Sequence, residues 1–127
     1  MSYIAMICDI KNSRSLNNRL EVQLQLIDVL KKCNEKFKDF IISPFIITIG
    51  DEWQGLLSEY TCCNDIIDFF KENLSDNIKF YTAIGYGKVS ITNFELTVNQ
   101  LDGEAFYLAR KAIRYCKKHS LDLVALK

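Results

Sequence analysis

Three acidic residues from two distant stretches of chain are the first candidates for shared chemistry. Asp9 closes the apolar run YIAMICD (Tyr3 to Asp9), while Asp51 and Glu52 follow the run FIITI (Phe45 to Ile49) and Gly50. Two carboxylates about 4 Å apart repel by roughly 4 kcal/mol at an effective dielectric near 20, so bringing them together calls for a cation or a shared proton. Oxygen-only ligands suit Mg²⁺, Mn²⁺ or Ca²⁺ rather than zinc. Mg²⁺ characteristically takes one or two carboxylates, some waters and substrate phosphates. The polar loop after Asp9 offers the complementary half of such a site. Backbone amides from Ile10 through Asn12 to Arg14, with the Ser13 hydroxyl, can donate to phosphate oxygens, and Arg14 can make a bidentate contact. Arg110 and Lys111 join them if the helix that carries them starts beside the site. The plainer alternative is that Asp9 and Ser13 cap the approach to a helix, Asp51 and Glu52 form a turn, and the basic helix face is solvated.

The first run is short and apolar and gives way to a polar loop, and the second is β-branched and aromatic, so both read as strands. Between them, Leu26, Leu30, Cys33, Phe37 and Phe40 recur at steps of four and three, which predicts an amphipathic helix over residues 20–40. Pro44 ends any helix, so the second strand is expected at Phe45 to Ile49. Gly50, Asp51 and Glu52 supply the turn into a third strand at Trp53 to Leu57. Thr61 or Asn64 is expected to cap a second helix with Ile66, Ile67, Phe69, Phe70 and Leu74 on its apolar face. Ile78 to Ile84 reads as strand four, with Gly85 and Gly87 punctuating its end as a bulge or turn, and Asn93 and Asn99 mark later turns. Asp102 and Gly103 open a third helix. Its small-residue stripe is Ala105, Ala109, Ala112 and Cys116, and Arg110, Lys111, Arg114, Lys117 and Lys118 form its basic side. Leu121 to Leu126 can form a last strand.

This order is α+β: a ferredoxin-like βαββαβ core, expected as an antiparallel sheet covered by helices, with an additional C-terminal helix and strand. In such a sheet the first and third strands are central neighbours. The hairpin tip then lies beside the end of strand one, and Asp9 and Asp51 are expected to face each other.

The chain has 127 residues, 49% of them hydrophobic, with sixteen basic against sixteen acidic side chains. That describes one globular domain, residues 1–127, with a genuine core. Zero formal net charge removes the bulk drive toward nucleic acid or anionic membrane. The longest nearly apolar run, Phe40 to Ile49, falls well short of the roughly 20 residues a spanning helix needs, and the N-terminus has no secretory pattern, so a cytoplasmic protein is expected. Five cysteines without a CxxC pair read as reduced packing residues, and a single histidine argues against zinc.

Four segments together carry a further resemblance: ICDIKNSR (Ile7 to Arg14), ITIGDEWQGLL (Ile47 to Leu57), AIGYGKV (Ala83 to Val89) and LDGEAFYLARKA (Leu101 to Ala112). They resemble the SatD family, whose N-terminal part is similar to the palm domain of class III nucleotide cyclases and GGDEF diguanylate cyclases. In that palm an Asp at the end of the first strand, the next residue's carbonyl and an acid at the hairpin tip bind two divalent metals over a nucleoside triphosphate. The resemblance therefore implies Asp9, Ile10 and Asp51, with Glu52 beside them, as ligands for Mg²⁺ or Mn²⁺. Gly50-Asp51-Glu52-Trp53 looks like the end of a GGDEF motif with Ile49 in place of its first Gly. The rest of the cyclase pattern departs: Ile47 stands where a purine-reading Lys is expected, Tyr107 where the transition-state Asn falls, and Lys111 where the Arg falls. Cyclisation is accordingly not implied. Longer family members continue into a helix-turn-helix segment to which the resemblance does not extend here, so DNA binding is not implied either.

Three readings follow. The first is a divalent-metal-dependent nucleotide-binding domain, as a sensor or a phosphoryl-transfer enzyme. The second is a catalytically inactive palm that serves as a dimerisation or protein-interaction module, with a homodimer as its simplest form. The third, a single-stranded nucleic-acid binder using Phe80, Tyr81 and Tyr86, lacks the RNP pattern and the positive charge such modules use. Trp53 reads as core, and His119 as a favourable dipole partner at a helix end.

Overall fold

Residues 2–90 and 96–127 are described by the computed structural model, and the turn expected at Asn93 lies outside them. The elements run β1 (Ser2–Ile10), α1 (Arg19–Lys36), β2 (Ile41–Ile49), β3 (Glu52–Leu57), α2 (Cys63–Asn73), β4 (Phe80–Lys88), α3 (Glu104–His119) and β5 (Leu123–Leu126). One five-stranded sheet has the order β2-β3-β1-β4-β5. β1 is the central strand, antiparallel to β3 on one side and to β4 on the other. The sheet is mixed rather than wholly antiparallel, because β5 returns through α3 and pairs parallel with β4.

Alternation along β1 divides the interior into two cores. Ile4, Met6, Cys8 and Ile10 face α1 and α2, where Leu26, Leu30, Phe45, Trp53, Ile66, Phe70 and Phe80 complete the larger one. Ala5 and Ile7 face α3, where Ala105, Ala109, Ala112 and Ile113 close the smaller one. Both faces of the sheet are thus covered, and Phe80 is core, which removes the open aromatic platform that strand-stacking recognition of nucleic acid requires. All five cysteines are buried and free. No described helix is long and apolar enough to cross a membrane.

Strand two begins four residues earlier than expected and contains Pro44. The sheet tolerates this because β2 is an edge strand, where a missing N–H breaks no inner ladder bond, and its pairing with β3 shifts register between Ser43 and Ile46. The Asn34 side chain serves the backbone next to the proline, accepting from Phe45 N–H at 2.8 Å and donating to the Phe45 carbonyl at 3.0 Å. α1 ends at Lys36 rather than Phe40, since the chain must turn at Phe37 to reach that longer strand. Neither Thr61 nor Asn64 caps α2. A short 3₁₀ turn, Tyr60–Cys62, leads into it, and the Thr61 hydroxyl donates to Glu59 instead.

Gly85 and Gly87 do not end strand four; they lie inside it. A Cβ on Gly85 would sit 2.1 Å from the Ala105 carbonyl oxygen and 2.4 Å from the Ala109 nitrogen, so the glycine is what lets α3 rest directly on β4. Ala105, Ala109, Ala112 and Cys116 are fully buried on that contact, as their spacing predicts. Gly85→Ala is expected to cost about 3 kcal/mol through overpacking against backbone that cannot move aside, and to lower the melting temperature by roughly 10 °C. Thermal unfolding of the purified variant checks this.

Candidate functional site

Register brings the acids together. Asp9, the next-to-last residue of β1, lies directly across from Glu52, the first residue of β3. The Ile10 amide donates to the Asp51 carbonyl at 3.2 Å, tying the end of β1 to the hairpin tip. That bond makes Asp9 and Glu52 a non-hydrogen-bonded pair, the kind whose Cα atoms approach to about 4.5 Å. The expected partner of Asp9 was Asp51. Asp51 instead sits one residue further, in a two-residue turn whose first position, Gly50, takes φ +52°, where a glycine is favoured. The Asp9 and Glu52 side chains point to the α3 face, whereas the Asp51 carboxylate meets Arg19 at the start of α1, 3.4 Å from Nη2.

Each acid has a cation from its own chain. Arg110 grips Glu52 with two parallel bonds, Nη1 to Oε1 at 2.5 Å and Nη2 to Oε2 at 2.9 Å, and the Thr48 hydroxyl adds a third at 2.7 Å. Lys117, two helical turns beyond Arg110, pairs with Asp9. The side chains of Asp9, Asp51 and Glu52 keep only 16%, 17% and 7% of their surface exposed, against 50% for Lys117 and 58% for Arg19. Burial pushes the Asp9 carboxyl above its ordinary value, Lys117 pulls it back, and the charges of Glu52 and Asp51 add to the rise. Glu52 is pushed up by burial as well, yet its bonds to Arg110 and Thr48 outweigh that and hold it below the usual carboxylate range. Two carboxylates in register therefore titrate in opposite directions.

The loop after β1 is partly committed. Ile10 N–H is taken by Asp51, and Lys11 N–H donates to the Lys79 carbonyl at 2.7 Å, so neither amide remains to meet a phosphate. Asn12, in the left-handed region at φ 53°, leads into a 3₁₀ turn at Ser13–Ser15. Asn12 and Arg14 are exposed and Ser13 is half-buried. Lys11 reaches away from the acids, over the Tyr81 ring, to pair with Asp122. Lys111 lies exposed on the outer side of α3, and among the described residues neither it nor Arg14 has an ion-pair partner. Arg110 is bound to Glu52 rather than turned outward.

A groove of about 450 Å³ lies elsewhere, beside the end of α2 and the β4–β5 edge, lined by Lys11, Lys71, Phe80 and Asp122 among others. Among the described residues no group of three or more His, Cys, Asp or Glu side chains is arranged to hold a metal ion. With Glu52 occupied, the donors near the strand end are the oxygens of Asp9 and Asp51. That set suits a hard cation whose remaining positions are filled by water or by phosphate oxygens of a ligand. The cysteines contribute no nucleophile here: burial pushes Cys33 and Cys63 up to about 12 and Cys8 higher still.

Lys117 and Arg19 were not among the site residues expected from sequence. For Lys117 a signal existed, because it stands seven residues after Arg110 and so shares its helix face. Nothing in the sequence ties Arg19 to Asp51.

The Glu52–Arg110 pair gives a pH signature. Glu52 titrates lower in the folded state, so its stabilising contribution is complete above the ordinary glutamate value of 4.5 and is lost as pH falls through the lowered folded value. Arg110→Met leaves a buried carboxylate uncompensated, and at pH 7 is expected to cost about 3 kcal/mol or more. The variant should regain stability on acidification, where the parent loses it. For Asp9 the sign reverses: its folded value is raised, so the ionised form opposes folding and the penalty is relieved as pH falls. Asp9→Asn is therefore expected to raise the melting temperature at pH 7. Denaturant melts of both variants at neutral and acidic pH check the two signs.

Solved structures similar to this chain include GGDEF domains and adenylyl and guanylyl cyclases. A microbial GGDEF domain described with bis-(3′,5′)-cyclic di-GMP superposes with a TM-score of 0.60 at 16% identity, over 98% of this chain and 77% of its own. A bacterial light-regulated adenylyl cyclase gives 0.61 at 15% identity, over 98% and 74%. The dimeric guanylyl cyclase domain of the RhoGC fusion protein from Blastocladiella emersonii gives 0.57 at 16%, over 89% and 73%. At these identities the likeness shows the fold, an α+β cyclase palm. No curated protein shows a significant match. The sequence profile of one family, by contrast, spans residues 3–123, from the second residue of β1 to the first of β5, and on that match the chain belongs to the SatD family.

Proposed function

We propose that this domain binds a nucleoside triphosphate or related phosphate ester together with Mg²⁺ or Mn²⁺ at the end of β1, as a sensor or a phosphoryl-transfer domain rather than a cyclase. The observation that carries this reading is the clustering of three well-buried carboxylates, Asp9, Asp51 and Glu52, where the end of β1 meets the hairpin tip, beside a short polar loop and two basic residues of α3. In this reading Asp9, the Ile10 carbonyl and Asp51 hold the cation. A divalent cation held by these oxygens would supply Lewis-acid neutralisation of phosphate charge. Asn12, Ser13 and Arg14 receive the phosphate chain, with Lys111 reaching in from the helix surface. Glu52 serves as a positioning residue that fixes Arg110 over the strand end. Ligand binding, not ring closure, is what this set of residues equips: Ile47 packs against the core, and Tyr107 is 67% exposed.

The test is thermal stability against a panel of nucleotides, with and without Mg²⁺ or Mn²⁺. A ligand at a hundredfold its dissociation constant adds about 2.7 kcal/mol, a rise of several degrees. Asp9→Asn should abolish the rise. A flat response across the whole panel would count against the reading.

A second reading is supported by a separate observation. Leu20, Leu24 and Ile27, at i, i+4 and i+7 on α1, are 73%, 58% and 50% exposed. A row of large aliphatic side chains on one helix face is the kind of surface that marks an interaction site. If the domain is an inactive palm that associates through its surface, sedimentation should show a concentration-dependent dimer that chelator and Asp9→Asn leave intact and that Leu24→Asp dissociates. A parent protein that stays monomeric at high concentration would remove the homodimer form of this reading.

A further inference from the structure

We propose that Lys117 is a built-in counter-ion that competes with the divalent cation for Asp9, so that the site accepts metal and phosphate together and resists metal alone. The inference rests on the metal-binding reading above and deepens it. Three acid–cation pairs surround the strand end, and they differ in how readily they exchange. Glu52 is almost fully buried and held at both oxygens by Arg110 and at one by Thr48, so it is fixed. Asp51 has a single 3.4 Å contact with a mostly exposed arginine, so it is nearly free. Asp9 lies between these extremes: its carboxylate is well buried, and its partner is a lysine with half its side chain in water.

The root of Lys117 is fixed while its head is not. The preceding residue, Cys116, is fully buried, and its thiol donates to the Thr82 carbonyl at 3.4 Å, which anchors the last turn of α3 to β4. Four flexible bonds then carry the ammonium group to Asp9, and the same reach lets it swing outward when a second cation arrives. A cation approaching Asp9 alone must displace the lysine and leave its charge beside the new ion. A cation arriving with phosphate brings the anion that the displaced ammonium can pair with. Metal and phosphate therefore raise each other's affinity by the same factor.

The probe is Mn²⁺ alone, its binding to the full chain followed by the electron paramagnetic resonance of the free ion. Lys117→Met should bind Mn²⁺ at least about tenfold more tightly than the parent, Lys117→Arg should remain weak like the parent, and Asp9→Asn with Lys117→Met should lose the gain. Equal affinity in the parent and Lys117→Met overturns the proposal while leaving the metal site standing. Absence of Mn²⁺ binding in both, with and without nucleotide, overturns it together with the metal reading. A metal-free check is independent of either: in chelator, the stabilities of the parent, Asp9→Asn, Lys117→Met and the double variant should show coupling between the two residues, and strict additivity overturns the proposal.

Discussion

The contact between α3 and β4 at Gly85 is the constraint on which the site depends. Because that position has no Cβ, the helix backbone approaches the sheet as closely as a buried stripe of alanines permits. At a normal helix–sheet separation, Arg110 and Lys117 would have further to reach across the top of the sheet. At this one, Arg110 closes a bidentate pair on β3 and Lys117 meets the end of β1. The same helix then delivers β5 parallel to β4, which supports the strand on which the glycine sits. A single backbone allowance in the middle of a strand thus places two charges at the ends of the inner strands β3 and β1.

A buried ion pair gains little over well-packed apolar groups, because desolvation offsets most of the attraction, but it fixes geometry, and removing one partner is costly. Glu52 and Arg110 fit that description: burial opposes the ionised glutamate and the guanidinium more than compensates. Asp9 does not reach the same balance, since burial outweighs what Lys117 returns. Two acids in register are thus served unequally, one by a bidentate arginine and a hydroxyl and the other by a single lysine.

Much of this was legible in the sequence where local physics decides. The strand carrying Asp9 declared itself as a short apolar run, the one before Gly50 through β-branched composition, α1 through its 3.6-residue period, and the buried face of α3 through Ala105, Ala109, Ala112 and Cys116. What was not legible depended on tertiary position. Pro44 reads as a strand breaker until β2 is known to be an edge. Gly85 and Gly87 read as punctuation until a helix is known to lie on them. The acid opposite Asp9 depended on a register that a one-residue shift would change, which is why Glu52 rather than Asp51 lies across from it. The basic side of α3 looked solvated because a helical wheel shows which face a lysine is on but not that an acid at the end of a strand lies within its reach.

Fold likeness to cyclases and departure from their chemistry have a common physical basis. The palm's strand order brings the end of β1 beside a hairpin tip whatever the side chains are, so any chain with acids at those two places inherits a convergent anionic patch. Reaction requires more than convergence: groups must be aimed at charge that develops only in the transition state. Here Tyr107 and Lys111 lie on the exposed side of α3, one mostly in solvent and the other without an ion-pair partner among the described residues. The cations that do face inward, Arg110 and Lys117, are already engaged with carboxylates of the same chain. An incoming anion would therefore have to compete with Glu52 for Arg110 and with Asp9 for Lys117, and of the two the singly held, half-exposed lysine is the easier to draw away.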